Sequence, residues 1–375
     1  MQLQKPRIAI VSKFSPSGGV SNITVQLANE LTLHGIQTDI LVVAGQSPYP
    51  ERLSSRVSIH SWNRKHVYSS IFSLFHYIVT HKPDAILAIR HKAINLSLLV
   101  HRIAPYHNKR RLILRLSGHV SSSISGKSSW QRWKHLFPLR RLYDKADAII
   151  AVSNGVAEDF IRINPRARPK VASVPNPTIP REIQKLANEP LAHPWLSPER
   201  DHSVILGVGR FTRRKDFATL IKAFAEVRTH IPCRLILLGE GAERSRYLQV
   251  AEDLNIAQHM DLPGDVENPY AYMSRADLFV LSSYASEGSP NALKEALALG
   301  LPVVSTDCPS GPREILANGA YGSLVPPHDP ERLAEAMLET LNDPPGPERL
   351  QAAVSEYYVE TSAQKYLNIL LPDRK

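Results

Sequence analysis

The sequence predicts an α/β protein made of two doubly wound, Rossmann-like domains. Three observations carry that prediction. Short runs rich in Val, Ile and Leu alternate with helix-length segments along the chain, the pattern of parallel strands joined by right-handed crossovers. The alternation is set out twice, once in each half. Between the halves, residues 175–200 hold Pro175, Pro177, Pro180, Pro190, Pro194 and Pro198, a density that breaks regular structure and stiffens a connection. A chain of 375 residues is also long for one core and comfortable for two.

The first domain is placed at 1–180. Its strand-like runs fall at 7–13, 39–43, 57–62, 84–90, 111–117, 148–153 and 170–174. The crossover at 20–34 shows apolar residues at helical spacing. Residues 181–200 are read as a Pro-rich linker. The second domain, 201–350, has runs at 204–210, 234–239, 260–262, 278–283 and 302–306. The last segment, 351–375, reads as a helix that packs back on the first domain. No repeat at solenoid period and no low-complexity tract is present.

Composition narrows the classes. The chain is 43% hydrophobic and 21% charged, which argues against a disordered protein. Cys233 and Cys308 are isolated thiols with no metal or disulfide spacing, so a reducing, cytoplasmic setting is expected. The first residues lack the apolar core of a secretory signal, and no apolar stretch reaches the ~18 residues of a membrane span. Charge is divided unevenly. Residues 1–189 hold 27 Lys and Arg against 10 Asp and Glu, whereas 190–375 hold 18 against 25. A first half of +17 beside a second of −7 predicts that the first half faces something anionic.

Four features carry chemistry. The strongest is the run Glu287, Gly288, Ser289, Pro290, Asn291, Ala292, Leu293, Lys294, Glu295. It follows the strand at 278–283. Ser289 reads as an N-cap and Pro290 as the first helical residue, with Gly300 and Pro302 ending the helix. Its N-terminus would favour an anionic or hydroxyl-rich ligand, and Glu287 and Glu295 are natural partners for sugar hydroxyls. A capped helix bearing two solvated glutamates is the plain alternative. The second feature is the basic loop from Gly207 to Lys215, after the strand at 204–210. Arg210 and Lys215 there suit a diphosphate, while Arg213 and Arg214 read as solvated. The third is the turn Gly18–Gly19 between a strand and a helix, where backbone approaches a ligand closely. The fourth is His119, just past a strand and Gly118, placed to hydrogen-bond a substrate or accept a proton, although one histidine among the 15 of the chain more often has a purely structural role. A retaining hydrolase would want two carboxylates flanking one bond, and no convincing second carboxylate is evident on the first domain near His119, which argues against simple glycoside hydrolysis.

Together these features resemble the retaining GT-B glycosyltransferases of family 4 (glycosyl transferases group 1). The resemblance runs from the Gly18–Gly19 turn to about Leu333. It rests on the E-x7-E signature from Glu287 to Glu295 and the R-x4-K pair of Arg210 and Lys215. Ala151-Val152-Ser153-Asn154, Gly239-Glu240-Gly241 and Thr306-Asp307 through Glu314-Ile315 add to it. The resemblance implies two Rossmann-like domains facing a cleft. It implies that Glu287 lies near the transferred sugar, Glu295 binds the ribose, and Gly288, Ser289, Pro290, Asn291 and Ala292 cup sugar and phosphate. Arg210 and Lys215 would bind the donor diphosphate, Gly18 and Gly19 approach the donor phosphate and the acceptor, and His119 contact the donor sugar. His119, Glu287, Arg210 and Lys215 are thus the expected catalytic set.

The expected activity is that of a retaining, metal-independent hexosyltransferase that needs no cofactor. An Asp-x-Asp triplet, the usual divalent anchor of the other main glycosyltransferase fold, is missing from the sequence. The stretch 307–316 looks like bacterial transferases that build lipid-linked or surface polysaccharides from UDP-sugars. A UDP-hexose or UDP-N-acetylhexosamine donor and a lipid-linked, surface-polysaccharide or lipopolysaccharide acceptor are therefore expected. A same-fold nucleotide-sugar epimerase and a transferase with a small soluble acceptor stay as alternatives. The intact charged set argues against an inactive sugar-binding relative. Nucleic acid is excluded as a partner, since nothing resembles a recognition helix or stacking platform. Trp130, Trp133, Leu136 and Phe137, mixed with Arg132, Lys134, Arg140 and Arg141, predict peripheral attachment to an anionic membrane, on the inner face of the cell membrane. Pro138 is expected to interrupt that helix.

Overall fold

The computed structural model describes residues 5–14, 19–45, 50–105, 109–124 and 126–372. The chain divides into two compact units, Met1–Thr178 with Glu356–Lys375, and Ile179–Ser355. Each contains one all-parallel sheet.

The first sheet is formed by β1 (Arg7–Lys13), β2 (Gln37–Ala44), β3 (Val57–Ser61), β4 (Ala85–Ile89), β5 (Arg111–Leu116), β6 (Ala148–Ala151) and β7 (Val171–Ser173), in the order β3-β2-β1-β4-β5-β6-β7. The central strands are buried along nearly their whole length. They read as continuous apolar runs because helices cover both faces of a parallel sheet. One face packs Leu27, Ala28 and Leu31 of the helix Gly19–Leu33. The other packs Leu74 and Ile78, Ala93 and Ile94, Leu139, and Val156 and Phe160 from four further helices.

The terminal helix Val359–Leu370 completes the first of these faces. Ala363, Tyr366, Leu367 and Leu370 enter the same core as Ile8, Ile10 and Ile113. A buried polar knot ties it down. Arg115 of β5 is 1% exposed. Its Nε donates to the Tyr366 hydroxyl at 2.8 Å, and its two terminal nitrogens donate to Ser117 and Asn176. A buried guanidinium needs such acceptors, because a charge taken from water without partners is costly.

The second sheet is formed by β8 (Ser203–Val208), β9 (Cys233–Leu238), β10 (Met260–Gly264), β11 (Leu278–Leu281), β12 (Val303–Thr306) and β13 (Ser323–Val325), in the order β10-β9-β8-β11-β12-β13. β13 is absent from the strands expected from sequence. It is a three-residue edge strand, partly exposed, and too short to show a pattern. The Pro-rich segment 181–200 has structure of its own. It forms the helix Ile183–Ala187 and a turn at Pro194–Leu196, and Asn268 and Arg275 of the second unit donate to the carbonyls of Leu186 and Ala187 at 2.8 and 3.1 Å.

In both sheets the strand order reverses between the first strand and the fourth, at β1/β4 and at β8/β11. Ligands of open α/β sheets bind beyond the carboxyl ends of strands at such reversals. No helix among the described residues is long and apolar enough to cross a membrane.

Candidate active site

The predicted cation loop and the predicted carboxylate come together at the β8/β11 reversal. β8 ends at Val208, and the loop from Gly209 to Lys215 leaves its carboxyl end. Phe211 anchors this loop by burying its ring edge-on against Phe217 and Tyr247. Its N–H donates to the Glu240 carbonyl at 2.8 Å. A short turn, Arg213–Lys215, then leads to Asp216 and the helix Phe217–His230. Gly209 lacks a side chain for a steric reason. A Cβ there would meet Lys215 Cε at 2.8 Å, so the glycine leaves room for the lysine stem.

Lys215 Nζ lies 3.2 Å from Glu287 Oε2, and the two side chains are only 14% and 8% exposed. The Ser283 hydroxyl donates to the other oxygen, Glu287 Oε1, at 2.7 Å. Burial pushes the Glu287 carboxyl up, but Lys215, the Ser283 hydroxyl and Arg214 more than offset it and hold the group below the ordinary carboxylate range. Glu287 is therefore an anion at neutral pH. Lys215 is itself located by its carbonyl, which accepts from the Ser282 hydroxyl at 2.8 Å. Arg210 is exposed and, among the described residues, has no ion-pair partner. Arg213 faces Glu243 at 3.6 Å and is exposed, the solvated role expected of it. Arg214 differs, since its charge acts on Glu287.

The helix after Glu287 begins later than expected. It spans Asn291–Ala298, with Pro290 at the cap position and no side-chain cap. Ser289 does not cap it, because its hydroxyl instead accepts from Lys294 Nζ at 3.0 Å. Glu295 is consequently about one turn into the helix, not two, and is half-buried. Gly288 has φ +71°, the left-handed region that a side chain disfavours. Ala292 and Asn291 form the first exposed-side turn of the helix, both half-buried.

Lys294 is a residue that the sequence reading passed over. It is fully buried, and its ammonium also reaches Asn291 Oδ1 at 3.3 Å. It braces the loop that precedes its own helix. The signal was its phase. Leu293, Ala296 and Leu297 are buried beside it, and a lysine on an apolar stripe is seldom merely solvated. Cys308 is buried near Glu287, and desolvation first, then the Glu287 charge, pushes its thiol up to about 12.

The remaining predicted residues lie in the first unit. Gly19 is exposed at the start of the helix Gly19–Leu33. Gly18 lies outside the described residues. His119 sits between β5 and the short helix Val120–Ile124. Contrary to expectation, a carboxylate is near it. Asp159 Oδ1 lies 4.0 Å from His119 Nδ1. Asp159 comes from the helix Asn154–Ile163, 40 residues on, so only the packing reveals the pair. Its oxygens accept from the backbone N–H of Val120 and Ser121 at 2.7 and 3.1 Å and from the Ser121 hydroxyl. Asp159 is thereby a brace for the His119 turn, and the Nε2 of His119 has no hydrogen-bond partner among the described residues.

The helix Ser129–Arg141 is not interrupted at Pro138. It runs through the proline, and the Pro138 carbonyl accepts from Leu142 N at 2.8 Å. Of its residues only Leu139 is buried. Trp130, Trp133 and Phe137 are 60%, 54% and 47% exposed. The two indoles stack at 5.1 Å, and Lys134 lies over the Trp130 ring.

Residues 17–180 match the model of Glycosyltransferase Family 4, and residues 194–357 match that of Glycosyl transferases group 1. An uncharacterized glycosyltransferase of Methanocaldococcus jannaschii is 30% identical over 67% of this chain and 65% of its own length. An N-acetylgalactosaminyltransferase of Campylobacter jejuni, named for a diphospho-undecaprenol saccharide acceptor, is 30% identical over 64% of this chain and 62% of its own. The chain thus spans just under two thirds of these relatives. The lipopolysaccharide core biosynthesis glycosyltransferase LpsD of Rhizobium meliloti is 26% identical over 92% of this chain and 90% of its own. Among solved structures, a Rickettsia africae glycosyltransferase superposes with TM-score 0.81 at 18% identity, covering 98% of each chain. Anabaena HepE in complex with UDP gives 0.78 at 19%, covering 97% of this chain and 99% of that one.

Proposed function

We propose that this chain, which belongs to the family 4, group 1 glycosyltransferases of GT-B fold, moves a hexose or N-acetylhexosamine from a UDP-sugar to a lipid-linked or surface-saccharide acceptor. The observation that carries the reading is the Lys215–Glu287 pair at the β8/β11 reversal, with Arg210 on the loop that carries Lys215 and the helix Asn291–Ala298 starting four residues after Glu287. When the bond between the anomeric carbon and the diphosphate breaks, the electron pair leaves on phosphate oxygen. Lys215, held by Glu287, and Arg210 on the same loop stabilise that growing charge. Glu287, anionic and oriented by Ser283, accepts from a sugar hydroxyl. Glu295 binds the ribose, and the backbone from Gly288 to Ala292 follows sugar and phosphate. His119 hydrogen-bonds the transferred sugar through the ring nitrogen that Asp159 does not face. Protein cations in these places make a divalent ion dispensable, and the anomeric configuration is retained.

The acceptor reading rests on the relatives, one a transferase to a diphospho-undecaprenol saccharide and another a lipopolysaccharide core biosynthesis glycosyltransferase. Peripheral attachment to an anionic bilayer is favoured by the exposed Trp130, Trp133 and Phe137 among Arg132, Lys134, Arg140 and Arg141. Between Ala85 and Tyr143 the chain has no Asp or Glu. Amphipathic rings suit the headgroup boundary, and each basic residue near an anionic surface adds about 1 kcal/mol.

The test is a panel of nucleotide sugars offered to the purified chain in the presence of a chelator. Binding and slow hydrolysis should be confined to UDP-sugars and survive the chelator, and NMR should show a product of unchanged anomeric configuration. A strict Mg²⁺ or Mn²⁺ requirement, or an inverted product, would sink the retaining, metal-independent reading.

A further inference from the structure

A second charged site lies in the first unit, at the carboxyl ends of β1, β2 and β3. A pocket of about 360 Å³ opens there, lined by Lys13, Gly45, Asn63, Arg64 and Lys65. The backbone places these residues side by side. Lys13 is the last residue of β1 and pairs with Ala44, Gly45 follows β2, and Asn63 follows β3, whose Ser61 pairs with Val42. Lys13 and Arg64 thus come together from separate strands, 51 positions apart in sequence.

The lining offers donors. Lys13, Arg64 and Lys65 are exposed cations, and among the described residues none is paired with a carboxylate. The Ser61 hydroxyl donates to Asn63 Oδ1 at 3.1 Å, which leaves the Asn63 amide NH2 to donate. Asn63 has φ +45°, a left-handed turn that asparagine tolerates and that carries the chain from β3 into the basic pair. Between Arg52 and Pro83 no acidic residue occurs in the sequence, so Arg64 and Lys65 have no acidic neighbour along that stretch of chain. Three cations and an amide beyond the carboxyl ends of parallel strands form a site for a multiply charged oxyanion. The volume exceeds that of one phosphate and leaves room for an attached sugar.

We propose that Lys13, Asn63, Arg64 and Lys65 form a subsite for a phosphate or diphosphate group carried by the acceptor. This rests on the transferase reading above and names the chemistry of its acceptor side. Its residues belong to the first unit, whereas Arg210 and Lys215, the proposed donor diphosphate contacts, belong to the second.

The experiment uses the full chain saturated with UDP, titrated with inorganic pyrophosphate by calorimetry. Pyrophosphate should bind to the UDP-loaded protein. An Arg64→Ala/Lys65→Ala variant should bind it at least about tenfold more weakly, through loss of two charge-assisted contacts, with UDP affinity unchanged within twofold. No pyrophosphate binding, or equal binding by the variant, overturns the subsite. A bilayer headgroup is the other source of the same phosphate chemistry. Sedimentation with anionic vesicles should be unchanged in the variant. Lost vesicle binding with pyrophosphate binding intact assigns the residues to the bilayer and also overturns the proposal. Should UDP itself fail to bind, the donor assignment falls, and the pyrophosphate titration is then read in an Arg210→Ala/Lys215→Ala chain.

Discussion

At the scale of single residues, the Lys215–Glu287 pair links charge, stability and pH. The two groups are nearly buried, so removing one leaves the other charged and unpaired, which costs about 3 kcal/mol. Lys215→Ala should lower the melting temperature accordingly and reduce turnover by about 10²-fold or more, since a developing diphosphate charge loses a fixed partner. The sign of the pH effect follows from the depressed Glu287 value. Its stabilising contribution is present above the carboxylate's unfolded pKa of about 4.3 and is lost as pH falls through the folded value. In Lys215→Ala, desolvation loses its largest opponent and the Glu287 pKa rises. The acid limb of the pH–rate profile should therefore move to higher pH, and an unmoved limb would separate Glu287 from catalysis. Arg210→Ala is the contrasting case. Arg210 is exposed and unpaired among the described residues, so turnover should fall by a similar factor while thermal stability stays within about 0.5 kcal/mol.

At the scale of elements, two helices behave unlike their sequence patterns. Asn291–Ala298 starts without a side-chain cap because Ser289 is engaged by the buried Lys294. Lys294→Ala should cost about 1–3 kcal/mol by stripping Ser289 and Asn291 of a donor. Thermal denaturation beside UDP affinity would show whether the loop it braces also weakens. The helix Ser129–Arg141 buries one residue and exposes an aromatic stripe. Trp130→Ala/Trp133→Ala should leave stability nearly unchanged, because surface changes are worth about ±0.5 kcal/mol. It should abolish sedimentation with anionic vesicles. Wild-type binding should itself fade as salt rises, since screening acts over about 8–10 Å at ordinary ionic strength. Binding to neutral vesicles that equals binding to anionic ones would contradict electrostatic docking.

At the scale of the whole molecule, the ends of the chain belong to one unit. Residues 356–375 join the first unit, which with them holds 28 Lys and Arg against 11 Asp and Glu. The terminal helix is bound there by apolar burial and by the Arg115–Tyr366 hydrogen bond. Tyr366→Phe should destabilise this unit by about 1–3 kcal/mol, because a buried guanidinium N–H is left without its acceptor. Deleting residues 356–375 should expose that face of the core and produce aggregation. Two separate calorimetric transitions, with only the first shifted in Tyr366→Phe, would be the expected signature.

The sequence by itself determined what depends on neighbours along the chain. Apolar runs marked both sheets except β13, and strand-to-helix loops placed Arg210, Lys215 and Glu287 at strand ends, because side-chain period and turn chemistry are local. The spacing from Glu287 to Glu295 and from Arg210 to Lys215 was legible for the same reason. Only the tertiary structure decided which charges meet. Lys215 and Glu287 are 72 positions apart and pair because β8 and β11 are neighbours. Asp159 reaches His119, Arg115 reaches Tyr366, and Lys13 joins Arg64 through chain reversals that no local pattern encodes. Burial likewise turned Ser289 from a cap into an acceptor for Lys294. A buried ammonium must find oxygen partners wherever the packing leaves them, and that requirement overrides the weaker local preference for a capped helix.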